Sequence, residues 1–218
     1  VYSSYIASYH PFHLYMDELP AWDGRDRLTA LALRVSCRPL WVQGFHTWML
    51  GLASQWMDQS VLHANSVAPI LVSREQGRRK STFCRSLMPD VLMRYYTDNL
   101  KLTSQGQAER LLAEMGLLNM DEFDKYAENK MPLLKNLMQM SALNIRKAYQ
   151  QNFRQLPRVA SFIGTSNRFD LLTDPTGSRR FLCVEVKHDI DCTHIEHDQI
   201  FAQLKAELSA GRRNWFTK

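Results

Sequence analysis

The sequence predicts an α/β fold, a mostly parallel sheet with helices on both faces and an N-terminal helical annex. Three observations predict it. Short strand-like runs at 67–72, 95–97, 115–120, 159–164 and 181–186 alternate with segments of helical periodicity, the pattern of repeated strand–helix–strand units. Polar or turn-forming residues bound these runs, as they bound buried strands. Residues 10–63, in contrast, carry helical spacing throughout.

In chain order, Pro11 opens a first helix with Phe12, Tyr15 and Met16 on it, and Leu19-Pro20-Ala21-Trp22-Asp23-Gly24 is a turn. Leu28, Leu31, Ala32 and Val35 repeat at helical spacing, as do Phe45, Trp48, Met49, Leu52 and Trp56. These aromatics read as core packing. Val67–Val72 is a buried strand in which Pro69 suggests an edge or start position. Helices follow at 80–94, 104–113 and 130–142, and a last amphipathic helix covers 198–210. The division expected is a helical region, 1–64, and a nucleotide-binding core, 65–218.

At 218 residues, with 45% apolar and 22% charged residues, the chain has the composition of an ordinary globular domain. No apolar run approaches the roughly 18 residues of a membrane span, and no secretory leader is recognisable. The four cysteines, Cys37, Cys84, Cys183 and Cys192, form no CxxC, so reduced thiols in a cytoplasmic protein are expected. Cys192, His194, His197 and nearby His188 match no common zinc spacing and read as a solvated loop. The chain begins at Val1 rather than Met, which suggests a piece of a longer protein.

The net charge of +5 is less telling than its distribution. Arg74, Arg78, Arg79 and Lys80 cluster, Arg146, Lys147, Arg154 and Arg158 share a stretch with no acid, and Arg179 and Arg180 are adjacent. Such clusters suit polyanions, either nucleotide phosphates or a nucleic-acid backbone.

In a parallel sheet, ligands bind beyond the carboxyl ends of the strands, and the strand ends here carry the polar residues. The first is followed by Ser73-Arg74-Glu75-Gln76-Gly77-Arg78-Arg79-Lys80-Ser81-Thr82. Against the pattern G-x-x-x-x-G-K-[ST], Lys80 and Ser81 fall in the last two positions, and Arg74 and Arg79 replace both glycines. Glycine there lets backbone N–H groups close on phosphate. Gln76, Gly77, Arg79, Lys80, Ser81 and Thr82 are the candidate phosphate contacts.

The second strand ends in Asp121-Glu122. An acid holding hydrated Mg²⁺ and a neighbour orienting water is the chemistry phosphoryl transfer needs, so Ser81 and Asp121 are candidate metal ligands and Glu122 a candidate catalytic residue. At the third strand end, Asn167 is placed to sense the terminal phosphate. Arg179 and Arg180, after the turn Asp174-Pro175-Thr176-Gly177, offer guanidinium to a transferring phosphoryl group, and an arginine of this kind can come from a neighbouring subunit. Between the second and third ends, residues 144–158 read as a hairpin turning near Gln150-Gln151-Asn152. Its Arg146, Lys147, Tyr149, Phe153 and Arg154 interleave cations with aromatics, as single-stranded nucleic-acid contacts do.

Together these segments resemble the virulence-associated protein E (VirE) family of phage and mobile-element replication proteins, related to superfamily 3 helicases. The resemblance runs from Trp22-Asp23-Gly24 through Gln76-Gly77 and Lys80-Ser81-Thr82 to Gly164-Thr165-Ser166-Asn167-Arg168 and Asp174-Pro175-Thr176-Gly177-Ser178-Arg179-Arg180-Phe181. It implies an AAA+-like P-loop NTPase sheet and an ATP- and Mg²⁺-dependent helicase or remodelling ATPase, part of a larger primase–helicase. It also implies a hexameric homo-oligomeric ring on single-stranded DNA in a bacterial or phage-infected cell. In that frame Arg179 or Arg180 is the arginine finger. Two rivals stand beside it, a degenerate P-loop module that binds nucleic acid without hydrolysing ATP, and a regulatory ATPase that contacts protein.

Overall fold

The computed structural model describes residues 10–59, 63–102, 105–146, 153–169 and 180–216. Its centre is a five-stranded sheet of β1 (Ala68–Val72), β2 (Tyr96–Thr97), β3 (Leu117–Met120), β6 (Ser161–Ser166) and β7 (Phe181–Glu185). The order is β2-β3-β6-β1-β7 and every pairing is parallel. The strands β4 (Ala142–Arg146) and β5 (Phe153–Pro157) form a separate antiparallel ladder, with Ala142 opposite Pro157 and Arg146 opposite Phe153.

Side chains alternate across the strands, so each strand feeds two cores. Leu71, Leu117, Ile163 and Val184 point into one, covered by α1 (Pro11–Asp17), α2 (Arg27–Leu33), α3 (Pro39–Trp56), α4 (Lys80–Ser86) and α7 (His197–Ser209). Ile70, Val72, Leu118, Met120 and Phe162 point into the other, under α5 (Gln105–Glu114) and α6 (Met131–Leu137). Helices on both faces explain why β1, β3 and β6 are buried along their whole length.

The N-terminal helices begin where local chemistry permits. Proline opens α1 and α3, where its missing N–H costs no bond. Asp26 caps α2 by accepting from Thr29 N at 3.0 Å. The long α3 buries Trp41, Phe45, Trp48, Met49, Leu52 and Trp56, each removing enough apolar surface to contribute about 1.5–3 kcal/mol. Polar groups pin the same helix to the amino end of β6. Gln55 Nε2 donates to the carbonyls of Val159 and Ala160 at 3.1 and 2.8 Å, and Asn65 Nδ2 donates to Trp48 O at 3.0 Å and Ser161 Oγ at 2.9 Å.

Arg158 departs from the expectation that the cations of its stretch suit a polyanion. It is 1% exposed. Its guanidinium donates to the carbonyls of Ala160 (2.8 Å), Met138 (2.7 Å), Met140 (3.3 Å), Leu137 (3.4 Å) and Asn65 (3.0 Å). It is a buried rivet between the two sides of the sheet, and burial pushes its pKa down to about 9.

Four expectations shift, one of them the helix expected over 130–142, which covers only Met131–Leu137, with Ala142 already in β4. Pro69 lies in a central strand rather than at an edge, and only its start position holds. Ala68 N donates to Arg180 O, so alternation turns the N of Pro69 toward β6, whose register with β1 begins one residue later at Ile70. The helix expected over 80–94 ends at Ser86, because Pro89 cannot continue it, and a 3₁₀ turn follows over Asp90–Tyr95. The strand expected at 159–164 runs instead over Ser161–Ser166. The hairpin ladder is present, and its expected turn at 150–152 lies outside the described residues.

Candidate functional site

Because β1, β6 and β3 are parallel neighbours, their carboxyl ends lie along one edge and the loops after them meet. They enclose a cleft of about 460 Å³, lined by Gln76, Gly77, Arg78, Arg79, Lys80, Ser81 and Thr82 from the first loop, Asp121 and Glu122 from the second, and Thr165 and Asn167 from the third. Every expected phosphate and metal contact, together with Glu122 and Asn167, is therefore in one place.

The loop after β1 turns at two left-handed residues, Gly77 with φ 85° and Arg79 with φ 57°. Only one of the two replaced glycine positions thus needs a left-handed backbone, because Arg74 does not adopt one. The Arg74 guanidinium instead lies 4.7 Å above the centre of the Phe169 ring. Arg79 is exposed at the loop tip, immediately before α4.

Lys80, the first residue of α4, is 9% exposed. Its Nζ donates to Asn167 Oδ1 at 3.0 Å and to Ser73 O at 3.4 Å, both neutral oxygens. Burial lowers its pKa from the ordinary lysine value, opposed by the nearby charges of Asp121 and Asp124. Beside it, Asp121 Oδ1 accepts from Ser81 Oγ and from Thr165 Oγ1, both at 2.6 Å. Thr165 Oγ1 also accepts from Glu122 N at 3.2 Å. Glu122 takes a left-handed backbone with φ 51°, and its side chain, half exposed, pairs with Lys125.

Two further contacts were not singled out by the sequence pattern. Asp124 Oδ1 accepts from Ser166 Oγ at 2.8 Å and from Asn167 N at 3.2 Å. Burial works to raise its pKa, but these bonds outweigh it and hold the carboxyl below the usual range. Asp124 thereby fixes the backbone of Asn167, whose side chain receives Lys80. Thr165 plays the matching role for Asp121 and Glu122. A hydroxyl at the last turnward positions of a buried strand was the available signal, since Thr165 and Ser166 are 3% and 1% exposed and need polar partners.

Other expected residues are not in the cleft. Arg180 precedes β7, and its carbonyl bonds Ala68 at the amino end of β1. Its backbone is thus a strand's length from the cleft of this chain, about 13 Å at roughly 3.3 Å per residue. Arg179, Lys147 and Tyr149 lie outside the described residues. The backbones of Arg146, Phe153 and Arg154 sit at the turn end of the β4–β5 ladder. His188 and His197 contact the carbonyls of Arg34 and Ser86. Among the described residues, His10, His13 and Asp58 form the one group with metal-ligand spacing. Its contacts are those of a helix cap and a His–Asp side-chain contact, His13 N donating to His10 Nδ1 at 3.2 Å and His13 Nε2 lying 3.1 Å from Asp58.

Comparison with known proteins places this geometry. The family model described as "Virulence-associated protein E-like domain" matches residues 16–218. Among solved structures, the A form apo structure of the NrS-1 C-terminal region aligns with a TM-score of 0.54 and 17% identity, over 87% of this chain and 44% of that one. An apo structure of the same region aligns with a TM-score of 0.55 and 15% identity, over 91% and 47%. This chain therefore spans about half the length of those structures, and at such identities the likeness is one of fold. No curated protein matches. No helix among the described residues is long and apolar enough to cross a membrane.

Proposed function

The chain belongs to the virulence-associated protein E-like domain family, and from the geometry of its cleft we propose that it binds and hydrolyses ATP with Mg²⁺ as the ATPase module of a larger DNA-replication protein. One observation carries the reading. Lys80 is a nearly buried cation whose bonds go to neutral oxygens, at the joint carboxyl ends of three parallel strands. A buried charge that makes no ion pair is costly; the nearby Asp121 and Asp124 offset only part of that cost, and a phosphate group arriving in this cleft supplies a direct partner.

The remaining roles follow from position. The loop amides and Lys80 bind the phosphates. Ser81 Oγ and Asp121 Oδ1, already in contact at 2.6 Å, are the hard oxygen donors that Mg²⁺ takes, and the ion would neutralise charge on the phosphate oxygens. Glu122 orients the attacking water once its carboxylate leaves Lys125, and Asn167 reports the terminal phosphate through its bond to Lys80. Since Arg180 lies at the far edge of its own sheet, Arg179 or Arg180 serves a neighbouring cleft, which calls for a homo-oligomeric ring. The β4–β5 hairpin carries the single-stranded DNA contact through Arg146, Lys147, Tyr149, Phe153 and Arg154. A second reading, a module that binds nucleic acid without hydrolysis, draws support from the arginine at the left-handed position 79 and from the pairing of Glu122 with Lys125.

ATP turnover with and without single-stranded DNA, for the wild type, Lys80→Ala and Glu122→Gln, separates the two. Hydrolysis lost in both variants, with ATP binding lost only in Lys80→Ala, is the expected outcome. DNA binding without turnover in the wild type would establish the second reading instead.

A further inference from the structure

We propose that Arg78 is a positioning residue that clamps the phosphate-binding loop in its working shape and is not itself a phosphate ligand; this deepens, and rests on, the nucleotide-binding reading above. Arg78 lines the cleft between Gly77 and Arg79, yet its charge is already spent. Its guanidinium donates to Asp189 Oδ1 at 3.0 Å and also to Glu75 within the loop. Lys80, two residues on, has only neutral partners. Of these two cations, the one that makes no ion pair among the described residues is the phosphate ligand, and the paired one holds structure.

The clamp closes on a fixed base. The segment after β7 is tied to the sheet by Val186 N donating to Val72 O at 2.8 Å, and Ile190 is fully buried in the core. Between these anchors lies Asp189. From the same segment Ile190 N donates to Arg78 O at 3.3 Å, and Cys192 Sγ lies 4.0 Å from Arg79 O. The loop is therefore gripped by both the side chain and the backbone of Arg78, directly beside Arg79 in its left-handed conformation. A non-glycine residue there is strained, and such strain persists only where the surroundings over-determine it. The clamp supplies that determination, and so stands in for the glycine that the loop lacks.

Binding of a fluorescent ATP analogue with Mg²⁺, steady-state turnover and thermal midpoints test this in wild type, Arg78→Ala, Asp189→Asn, and both Arg79→Gly and the Arg79→Gly/Arg78→Ala double variant. Arg78→Ala should weaken binding and raise KM by about five- to tenfold, the size expected from releasing one strained residue, with kcat within about twofold. Asp189→Asn, which lies outside the cleft, should move binding in the same direction. In the Arg79→Gly background, the effect of Arg78→Ala should shrink to less than about twofold, because glycine needs no support. Thermal midpoints close to wild type will show that the fold is intact. Unchanged binding in Arg78→Ala overturns the clamp while leaving nucleotide binding in place. A loss in Arg78→Ala with none in Asp189→Asn also overturns it, since that marks a direct phosphate contact. A wild type that binds no nucleotide removes the underlying reading, and the clamp with it.

Discussion

Replacing Lys80 by methionine should weaken nucleotide binding while leaving the protein as stable or more stable. The amine is 9% exposed and bonds two neutral oxygens, Asn167 Oδ1 at 3.0 Å and Ser73 O at 3.4 Å. Each such bond contributes about 0.5–1.5 kcal/mol net, the longer one less. Asn167 is exposed and regains water when the amine is gone. Against that small loss stands the desolvation of a charge, which methionine, of similar length, does not incur. The net gain should be about 0.5–2 kcal/mol, as for other substitutions that relieve a functional site, or roughly 2–4 °C in Tm per kcal/mol at this size.

The sign of the pH dependence follows from the lowered pKa of Lys80. Below that lowered pKa both the folded and unfolded forms are charged, and the folded state bears the full cost. Between it and the ordinary value of 10.5, the unfolded chain binds more protons, so wild-type stability rises with pH. The advantage of Lys80→Met should therefore be largest near neutrality and shrink as pH approaches 10.5. Nucleotide affinity should fall by about 10–150-fold, from the loss of a charge-assisted bond worth about 1.5–3 kcal/mol. Calorimetric unfolding across the pH range, with nucleotide titration at neutral pH, measures both. A variant less stable than wild type by more than about 1 kcal/mol near neutrality would refute the account of Lys80 as a charge held at a cost.

Three further outcomes are expected. Arg158→Met should cost about 3–5 kcal/mol, because it removes a donor from five carbonyls, of which Ala160 O keeps Gln55 Nε2 and Leu137 O keeps Met140 N; a Tm within a few degrees of wild type would contradict its role as a rivet. Thr165→Val should lower kcat by about tenfold and raise the Mg²⁺ requirement, since Asp121 and Glu122 lose their shared hydroxyl. Thr165→Ser should restore both, and a normal Mg²⁺ titration for the valine variant would argue against it. Arg146→Ala and Lys147→Ala should each weaken single-stranded DNA binding and reduce the salt slope by about 0.7 per lost phosphate contact; an unchanged slope would remove the hairpin from the interface.

The elements of this fold were legible where burial and periodicity agree. Phe45, Trp48, Met49, Leu52 and Trp56 mark α3 because one helix face meets the sheet. The runs at β1 and β3 mark strands because helices cover both faces and bury them along their length. What local pattern does not reveal is neighbourhood. That β1 lies between β6 and β7, drawn from far along the chain, depends on pairings no local window contains. Arg158 shows the same limit from the other side. An acid-free basic stretch invites a polyanion, and nothing local says that one of its arginines meets five carbonyls instead. Strand β6 lies two residues beyond the apolar run because apolar character ends at Gly164 while the ladder continues through Thr165 and Ser166. Those two stay buried because Asp121 and Asp124 receive their hydroxyls.

The loop after β1 shows why a residue pattern and a backbone requirement are different things. The pattern asks for glycine at two positions, 74 and 79, and finds arginine at both. The backbone asks for a left-handed conformation only at 77 and 79, and glycine already occupies 77. One position out of two is therefore a real conflict, and its cost is of the order of 1–2 kcal/mol rather than a forbidden geometry. That is within reach of a few local contacts. Position 74 has no such conflict, and its arginine lies against Phe169 outside the turn. A strict pattern search counts two violations and rejects the loop. Dihedral angles count one, beside an arginine whose charge is tied to Glu75 and Asp189. The chemistry of the cleft turns on whether those ties hold position 79 in place, a question of tertiary contact that the glycine pattern alone cannot pose.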